Sequence, residues 1–454
     1  MFGTIRHIHF VGIGGIGMSG IAEVLANLGF QVSGTDLKES PATERLRSLG
    51  IEVHLGHEAK HIEGAQVVVI SSAVRGDNPE VLAAQAAKVP VIPRGEMLAE
   101  LMRLKRGIAV GGSHGKTTTT SMIAQVLSQA GLDPTIVIGG KLGILGSNAK
   151  LGKGDYLVAE ADESDGSFLM LNPTLAVITN IDREHLDHYK DIEEIRAAFV
   201  EFANRVPFYG SVFACMDDPN VAQVRPLLKR QVRTYGTNPQ VDLRAHDIRQ
   251  DGFVSAFSVT AFGESIGDFS IQVPGHHMVL DALAAIGVAL ELGVDREKIR
   301  TSLATFNGAE RRFTRKGEKD GVLVVDDYGH HPTEIAATLK AARKGFPERR
   351  IVAAFQPHRY TRTQALLEEF SRAFFEADVV VITNIYGANE TPIPGLSGES
   401  VVAGLRAHGQ REVHSVPRVE DLPEFLKSIT KPGDLLITFG AGTITHAGPA
   451  YLER

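Results

Sequence analysis

The chain is short of the residues that mark secreted, membrane-spanning or nucleic-acid-coating proteins. Among 454 residues there is one cysteine, Cys215, and no tryptophan. A single thiol excludes an intrachain disulfide framework and fits a reducing compartment, so a cytoplasmic location is expected. No apolar run reaches the ~18 residues of a membrane-spanning helix, so no membrane insertion is expected. The opening MFGTIRHIHFVGIGG runs straight into a strand and a glycine turn, without the layout of a signal peptide. Basic residues are not in excess: 47 Lys and Arg face 54 Asp and Glu, a net charge of −7. That argues against nucleic acid as a partner. With 43% hydrophobic and 22% charged residues, the composition excludes a disordered or fibrous chain.

What is present is a series of short β-branched runs alternating with helical stretches. IHFVG (8–12), VVVISS (67–72), IAVGG (108–112), YLVAEAD (156–162), LAVITNI (175–181), VLVVDD (322–327), IVAAFQP (351–357), VVVITNI (379–385) and LLITFG (435–440) all fit this pattern. Continuous apolar strands of this kind are covered by helices on both faces. The fold class is therefore α/β, with mostly parallel sheets. At about 150 residues per domain the length predicts three domains. A fresh strand with its own glycine loop begins at Ile108, and a charged stretch, GAERRFTRKGEKDG (308–321), precedes another. These place the domains at 1–106, 107–313 and 314–454.

Two glycine loops carry the chemistry. Gly12, Gly14, Gly15 and Gly17 follow the first strand and open a helix, with Ile16 inside the turn and Asp36 ending the next strand. This is the G-x-G-x-x-G arrangement with a distal acid, which brings backbone N–H groups and a helix N-terminus against a diphosphate. A nucleotide sugar satisfies it as well as a nicotinamide dinucleotide does, so an NAD(P)-dependent oxidoreductase stays open at this point. The second loop, Gly111-Gly112-Ser113-His114-Gly115-Lys116-Thr117-Thr118, lies between a strand and a helix. It is one residue shorter than the usual phosphate-binding loop. Gly115 still permits a nest of N–H groups, Lys116 faces the outer phosphates of ATP, and Thr117 offers a hydroxyl to Mg²⁺. Hydride transfer has no use for this second loop.

Acids and histidines follow at the ends of the next strands. Glu160, Asp162, Glu163 and Asp165 close strand 156–162, and Asn180, Asp182, Glu184, His185, Asp187 and His188 follow strand 175–181. Carboxylates at the carboxyl edge of a parallel sheet are placed to hold Mg²⁺, and a histidine there can serve as a second ligand or a donor. Arg359 and Arg362, three apart, would share a face if helical and could pair with a carboxylate.

Taken together in order and spacing, GIGGIGMSGIAE, GSHGKTTT, VAEADESDGSF, TNIDREHLDHY, PGHHMVLDALAA, GAERRF, DDYGHHPTE and QPHRYTR resemble the Mur ligases, ATP-dependent amide ligases of peptidoglycan precursor synthesis. The resemblance implies a Rossmann-like N-terminal domain for a UDP-sugar, a P-loop ATPase-type central domain and a Rossmann-like C-terminal domain for an amino acid. It implies that Gly112, Ser113, His114, Gly115, Lys116, Thr117 and Thr118, with Asn180, Asp327 and Tyr328, bind ATP. Thr117, Glu160 and His185 would hold metal, with two Mg²⁺ ions expected. Gly14, Gly15, Ile16, Gly17, Asp36, His57 and Ser72 are the expected UDP-sugar contacts, and His358, Arg359 and Arg362 the amino-acid contacts. Lys116, His185, Arg312 and His330 would stand nearest the reacting groups.

The GIGGIGMSG, DDYGHHPTE and PHRYTR segments point to joining L-alanine to UDP-N-acetylmuramic acid. A sibling activity that attaches a preformed peptide or another amino acid stays open, and a monomer or homodimer is expected. Two departures from the family pattern stand out: Glu184 precedes His185 where Asp is usual, and Met278 and Asp281 replace two asparagines. Because the substrates would start in separate domains, closure is expected, with 308–321 as its hinge.

Overall fold

The computed structural model describes residues 2–71, 73–142, 147–185 and 188–453, with the side chains of Ile16 and residues 139–148 left aside. Strands form wherever the β-branched runs occur, and all but VLVVDD (322–327) are one to three residues shorter at the carboxyl end than the run itself. The reason is local. Polar residues such as Asp162, Asn180 and Gln356 turn out of the ladder at the sheet edge, where they serve the loops.

The first sheet is β1 (His7–Val11), β2 (Gln31–Asp36), β3 (Glu52–Leu55), β4 (Val67–Ile70) and β5 (Val91–Pro93). Its order is β3-β2-β1-β4-β5, all parallel, which puts a topological switch point between β1 and β4. The second sheet comprises β6 (Arg106–Gly111), β7 (Thr135–Leu142), β8 (Ser147–Lys150), β9 (Tyr156–Glu160), β10 (Leu175–Ile178), β11 (Ser211–Cys215), β12 (Gln231–Gly236), β13 (Leu243–Asp251), β14 (Val254–Ala261) and β15 (Glu264–Ile271). Its order is β15-β14-β13-β12-β11-β10-β6-β9-β7-β8. The third is β16 (Thr314–Lys319), β17 (Val322–Asp327), β18 (Ile351–Phe355), β19 (Val379–Ile382), β20 (Val413–Ser415) and β21 (Leu435–Phe439), in the order β16-β17-β21-β18-β19-β20.

The chain divides into two compact units, Met1–His246 with Val259–Gly267 and Leu280–Leu303, and Asp247–Ser258 with Asp268–Val279 and Ala304–Arg454. In the first unit one continuous apolar core runs from Ile8 and Phe10 of the first sheet through Met97 and Leu101 to Phe168, Phe199 and Phe202 beside the second. In the second unit the third sheet is clothed on both faces. Leu323, Val325, Ala353, Phe355 and Ile437 face one side, and Val322, Val324, Val352, Ala354 and Leu436 the other. This alternation is the period of two expected of a strand buried on both faces.

Two features were not anticipated. β14 has a strictly alternating buried and exposed pattern, yet its short polar residues kept it from being read as a strand. The charged stretch expected to be a hinge is half strand: Thr314–Lys319 pairs antiparallel with β17. The ladder satisfies its backbone while Arg315 and Glu318 stay exposed. No described helix is long and apolar enough to cross a membrane.

Phe355 is fully buried and stacks near Phe370 and Phe374 at 5.4 and 5.5 Å between ring centroids. Phe355→Ala should destabilise the second unit by about 3–5 kcal/mol, read as a lower denaturant midpoint for its transition.

Candidate active site

In the first unit the site is assembled at the carboxyl edge of the second sheet. β6 lies between β9 and β10, all parallel, so the segments leaving these three strands emerge side by side. The segment after β6 is the short turn that opens the helix Lys116–Gln129. Gly115 caps this helix with a left-handed φ of 82°, and a Cβ there would stand 2.7 Å from Asp281 Oδ1. Only glycine meets both demands. The same Asp281 oxygen accepts a hydrogen bond from Thr119 Oγ1 at 2.9 Å. The aspartate that departs from the expected pattern therefore braces the second glycine turn.

Lys116 folds back onto this turn. Its Nζ donates to the carbonyls of Gly112 and Ser113 at 2.6 and 3.2 Å and to both oxygens of Glu163 at 2.9 and 2.8 Å. Burial works against the ammonium, but the charges of Glu163, Asp162 and Glu184 outweigh it and raise its pKa. His185 Nε2 lies 3.4 Å from Glu163 Oε1. Burial lowers the His185 pKa, but the Glu163 hydrogen bond with the charges of Glu184 and Glu163 outweighs it, leaving a net upward shift. His185 has a left-handed φ of 55°, a conformation that costs a non-glycine residue about 1–3 kcal/mol. Glu160 ends β9 in register with Val110, beside the turn, and Thr117 lies in the helix's first turn, partly exposed.

The segment after β10 fixes the turn's shape. Asn180 accepts from the His114 N–H at 2.8 Å and donates to the His114 carbonyl at 2.9 Å, while Thr179 Oγ1 donates to the same carbonyl at 2.6 Å. Ser113 Oγ accepts from the Asp182 N–H at 2.8 Å, and His114 Nε2 lies 2.9 Å from Asp182 Oδ2. Ser113, His114 and Asn180, expected as nucleotide contacts, are thus engaged in shaping the loop in this structure. Thr118 is buried in the helix.

At the switch point of the first sheet, Asp36 Oδ2 accepts from the Gly14 N–H at 2.9 Å, so the distal acid braces the first glycine turn. Gly15 caps the helix Ile16–Asn27, and Gly17 lies in its first turn. A Cβ at Gly17 would come within 2.5 Å of Arg94 Nη1, and Arg94 Nη2 lies 3.1 Å from Asp162 Oδ2. Burial raises the Asp162 pKa, but Lys116 and Arg94 hold it below its ordinary value. One guanidinium therefore links the first glycine turn to the acidic segment beside the second. Sequence reasoning missed Arg94, whose only signal is its place at the start of the helix Arg94–Met102. His57 stands just past β3, in the edge that Asp36 closes. Ser72 lies outside the described residues.

The second unit gathers a separate set. Arg311 and Arg312 place their guanidinium carbons 5.0 and 5.4 Å from the centroid of the Tyr328 ring. Arg312 Nη1 donates to Glu334 Oε1 at 3.0 Å, and Arg311 Nε to Asp326 Oδ2 at 3.0 Å. Asp327 accepts from the N–H groups of Phe313 and Gly329, each at 2.8 Å. Burial pushes its carboxyl up to about 6, against the opposing charge of Arg312. His330 Nδ1 lies 3.3 Å from Glu334 Oε2, and the His330 and His358 rings meet edge to face at 6.0 Å.

His358 stacks on Tyr386 at 5.7 Å and pairs through Nδ1 with Arg362 Nη1 at 3.1 Å. Burial, then the charges of His330, Arg362 and Arg359, lower its pKa to about 3. Arg359 and Arg362 do not share a helical face. Arg359 precedes the helix Tyr360–Ala365 with a left-handed φ of 67°, because its N–H is held by the Tyr386 carbonyl at 2.8 Å. Its side chain approaches Glu390 at 3.9 Å. Tyr386 and Glu390 are partners that nothing in the sequence singled out.

Comparison with known proteins follows the same plan. The model described as the Mur ligase family catalytic domain matches residues 7–106, the Mur ligase middle domain matches 110–289, and the Mur ligase glutamate ligase domain matches 311–442. The chain is 59% identical to a UDP-N-acetylmuramate–L-alanine ligase of Trichlorobacter lovleyi, over 100% of both chains. It is 56% identical to the protein of the same name from Myxococcus xanthus, over 98% of this chain and 94% of that one. Among solved structures, a UDP-N-acetylmuramate–alanine ligase of Thermotoga maritima superposes with a TM-score of 0.82 at 31% identity, covering 99% of each chain. A murein peptide ligase of Psychrobacter arcticus shares the fold, with a TM-score of 0.71 at 24% identity over 99% of this chain and 98% of that one.

The lowered pKa of His358 has a measurable consequence. The unfolded chain takes up a proton at this residue as pH falls through its ordinary value near 6.5, while the folded chain does not. The stability it contributes is present above that pH and lost below it. Between pH 7 and 5 the parent should lose about 1 kcal/mol more than His358→Asn, after allowance for solvent screening, in denaturant titrations at each pH.

Proposed function

The chain belongs to the Mur ligase family, and on that premise we propose that it joins L-alanine to the lactyl carboxylate of UDP-N-acetylmuramic acid at the expense of ATP, in peptidoglycan precursor synthesis in the cytoplasm. The observation that carries this reading is Arg94, which ties the diphosphate-type turn at Gly17 to Asp162 beside the triphosphate-type turn at Lys116. A dehydrogenase has no need of the second turn. Domains 1–106, 107–313 and 314–454, taking UDP-sugar, ATP and amino acid in turn, belong to the same reading.

The chemistry answers a specific difficulty. A carboxylate does not acylate an amine at neutral pH, because its oxygen is a poor leaving group. Transfer of the γ-phosphoryl group from ATP to the lactyl carboxylate gives an acyl phosphate and ADP. The alanine amine then attacks the acyl carbon, and phosphate departs from the tetrahedral intermediate. The transferred group spreads its charge over three oxygens, so fixed positive charge lowers the barrier most.

Lys116 supplies that charge, and an arriving triphosphate competes with Glu163 for it. The donor set of the Thr117 hydroxyl, the Glu160 carboxylate and His185 beside Glu163 suits a hard divalent cation. Thr117 and Glu160 would hold one Mg²⁺ and His185 a second, supplying charge neutralisation around the phosphates. In the second unit the Arg362 guanidinium is planar and already oriented by His358, which suits bidentate capture of the alanine carboxylate. Arg312 and His330, both held by Glu334, are offered for the reacting end.

Incubation with UDP-N-acetylmuramic acid, ATP, Mg²⁺ and single amino acids, followed by mass analysis, should give UDP-N-acetylmuramoyl-L-alanine with alanine as the favoured amine. A product only from a preformed peptide would replace this reading with the sibling activity. Lys116→Ala should lower kcat by about 10³-fold or more, as expected for loss of a principal phosphate charge, with UDP-sugar binding by calorimetry kept. Arg362→Lys should raise KM for alanine by about tenfold, the worth of one lost bidentate bond, and leave KM for ATP near the parent's.

A further inference from the structure

The first sheet contains a buried carboxylate ringed by histidines that the reaction as described does not use. Glu80, in the first turn of the helix Pro79–Ala86, is fully buried. Thr35 Oγ1 donates to its Oε2 at 2.7 Å. His57 Nδ1 lies 3.2 Å from Oε2 and 2.9 Å from Thr35 Oγ1. His61 Nδ1 lies 3.1 Å from Oε1, and His9 Nε2 stands 3.8 Å away. Burial would raise the Glu80 pKa, yet nearby His9 and the hydrogen bonds from Thr35 and His61 hold it below its ordinary value, so the group is a carboxylate. It accepts and cannot donate.

Of the histidines around Glu80, His57 is the most exposed and stands beside the edge that Asp36 closes. It follows β3 two residues after Leu55, whose register partner is Asp36, the residue bracing the first glycine turn. Its side chain keeps 15% exposure, against 7% for His61 and none for His9. With Nδ1 turned inward onto an acceptor-only carboxylate, neutral His57 must carry its proton on Nδ1. Nε2 is then a bare acceptor directed away from Glu80.

We propose that Glu80 is a positioning residue for the UDP-sugar: it fixes the Nδ1–H tautomer and ring orientation of His57, so that Nε2 accepts a hydrogen bond from an N–H or O–H donor of the nucleoside. The inference rests on the UDP-sugar reading of this domain. The carboxylate is fully buried. It acts through the imidazole, as a carboxylate behind a metal-ligating histidine does.

Nitrogen spectra of histidine-labelled full-length protein without ligand test the tautomer directly, with the His57 signal assigned by its loss in His57→Ala. The expected result is protonated Nδ1 and bare Nε2, with the Nε2 shift moving on addition of UDP-N-acetylmuramic acid. A proton on Nε2 at neutral pH would overturn the proposal. Kinetics supply the second arm. Glu80→Gln should raise KM for the UDP-sugar about tenfold, the worth of one misdirected hydrogen bond, with kcat and KM for ATP within about twofold.

In a His57→Ala background the same substitution should add almost nothing, because the path through His57 is gone. Additive effects in the double variant, or a change in kcat and ATP affinity together, would mark Glu80 as merely structural. Calorimetry separates the layers. If the parent fails to bind UDP-N-acetylmuramic acid, the ligase reading falls; if it binds and Glu80→Gln binds equally well, only this inference does. Should Glu80→Gln not fold, the tautomer measurement on the parent decides alone.

Discussion

A lysine kept inside protein must have a counter-charge, and the pairing of Lys116 with Glu163 is the interaction around which the catalytic edge is arranged. The two oxygens of Glu163 sit within 2.9 Å of Nζ, and Glu163 itself is buried. Without a partner the lysine would lose its proton or leave the loop. The pair holds the ammonium charged and localised where a triphosphate can take over Glu163's role. Exchange of one anion for another leaves the ammonium with a counter-charge throughout.

That pair exists because of strand order. β6 delivers the lysine, β9 delivers Glu160, Asp162 and Glu163, and β10 delivers Asn180, Asp182, Glu184 and His185. Residues far apart in sequence converge because three adjacent parallel strands end at one edge. Arg94 extends the arrangement to the first sheet, whose core is continuous with that of the second.

The second unit solves a similar problem with opposite emphasis. Asp326 and Asp327 end a fully apolar strand and are buried. Asp326 is neutralised by Arg311 and by hydroxyls of Thr438 and Thr445 at 2.8 and 3.0 Å. Asp327 is satisfied by backbone N–H groups, which shape the turn that presents Tyr328 and His330. The carboxylate expected to face a nucleotide thus spends both oxygens on backbone N–H groups.

The alternation of β-branched runs and helices, the two glycine turns, and the lysine and acid boxes were legible in the sequence, because each is a local pattern fixed by backbone period or loop chemistry. Gly115, Lys116, Glu160 and His185 stand at the carboxyl edge of the second sheet. What local pattern cannot carry is the partner. Glu163 on Lys116, Asp281 under Gly115, Arg94 across to Asp162 and Glu80 behind His57 all join residues separated by 23 to 166 positions. Arg359 and Arg362 show the same limit at short range, since a loop carbonyl from Tyr386 pulled Arg359 out of the helix that their spacing implied. The sequence by itself determined which elements form and which chemical groups reach the sheet edges. Only the tertiary structure decided which of those groups face each other, because pairing depends on strand order and packing across the fold.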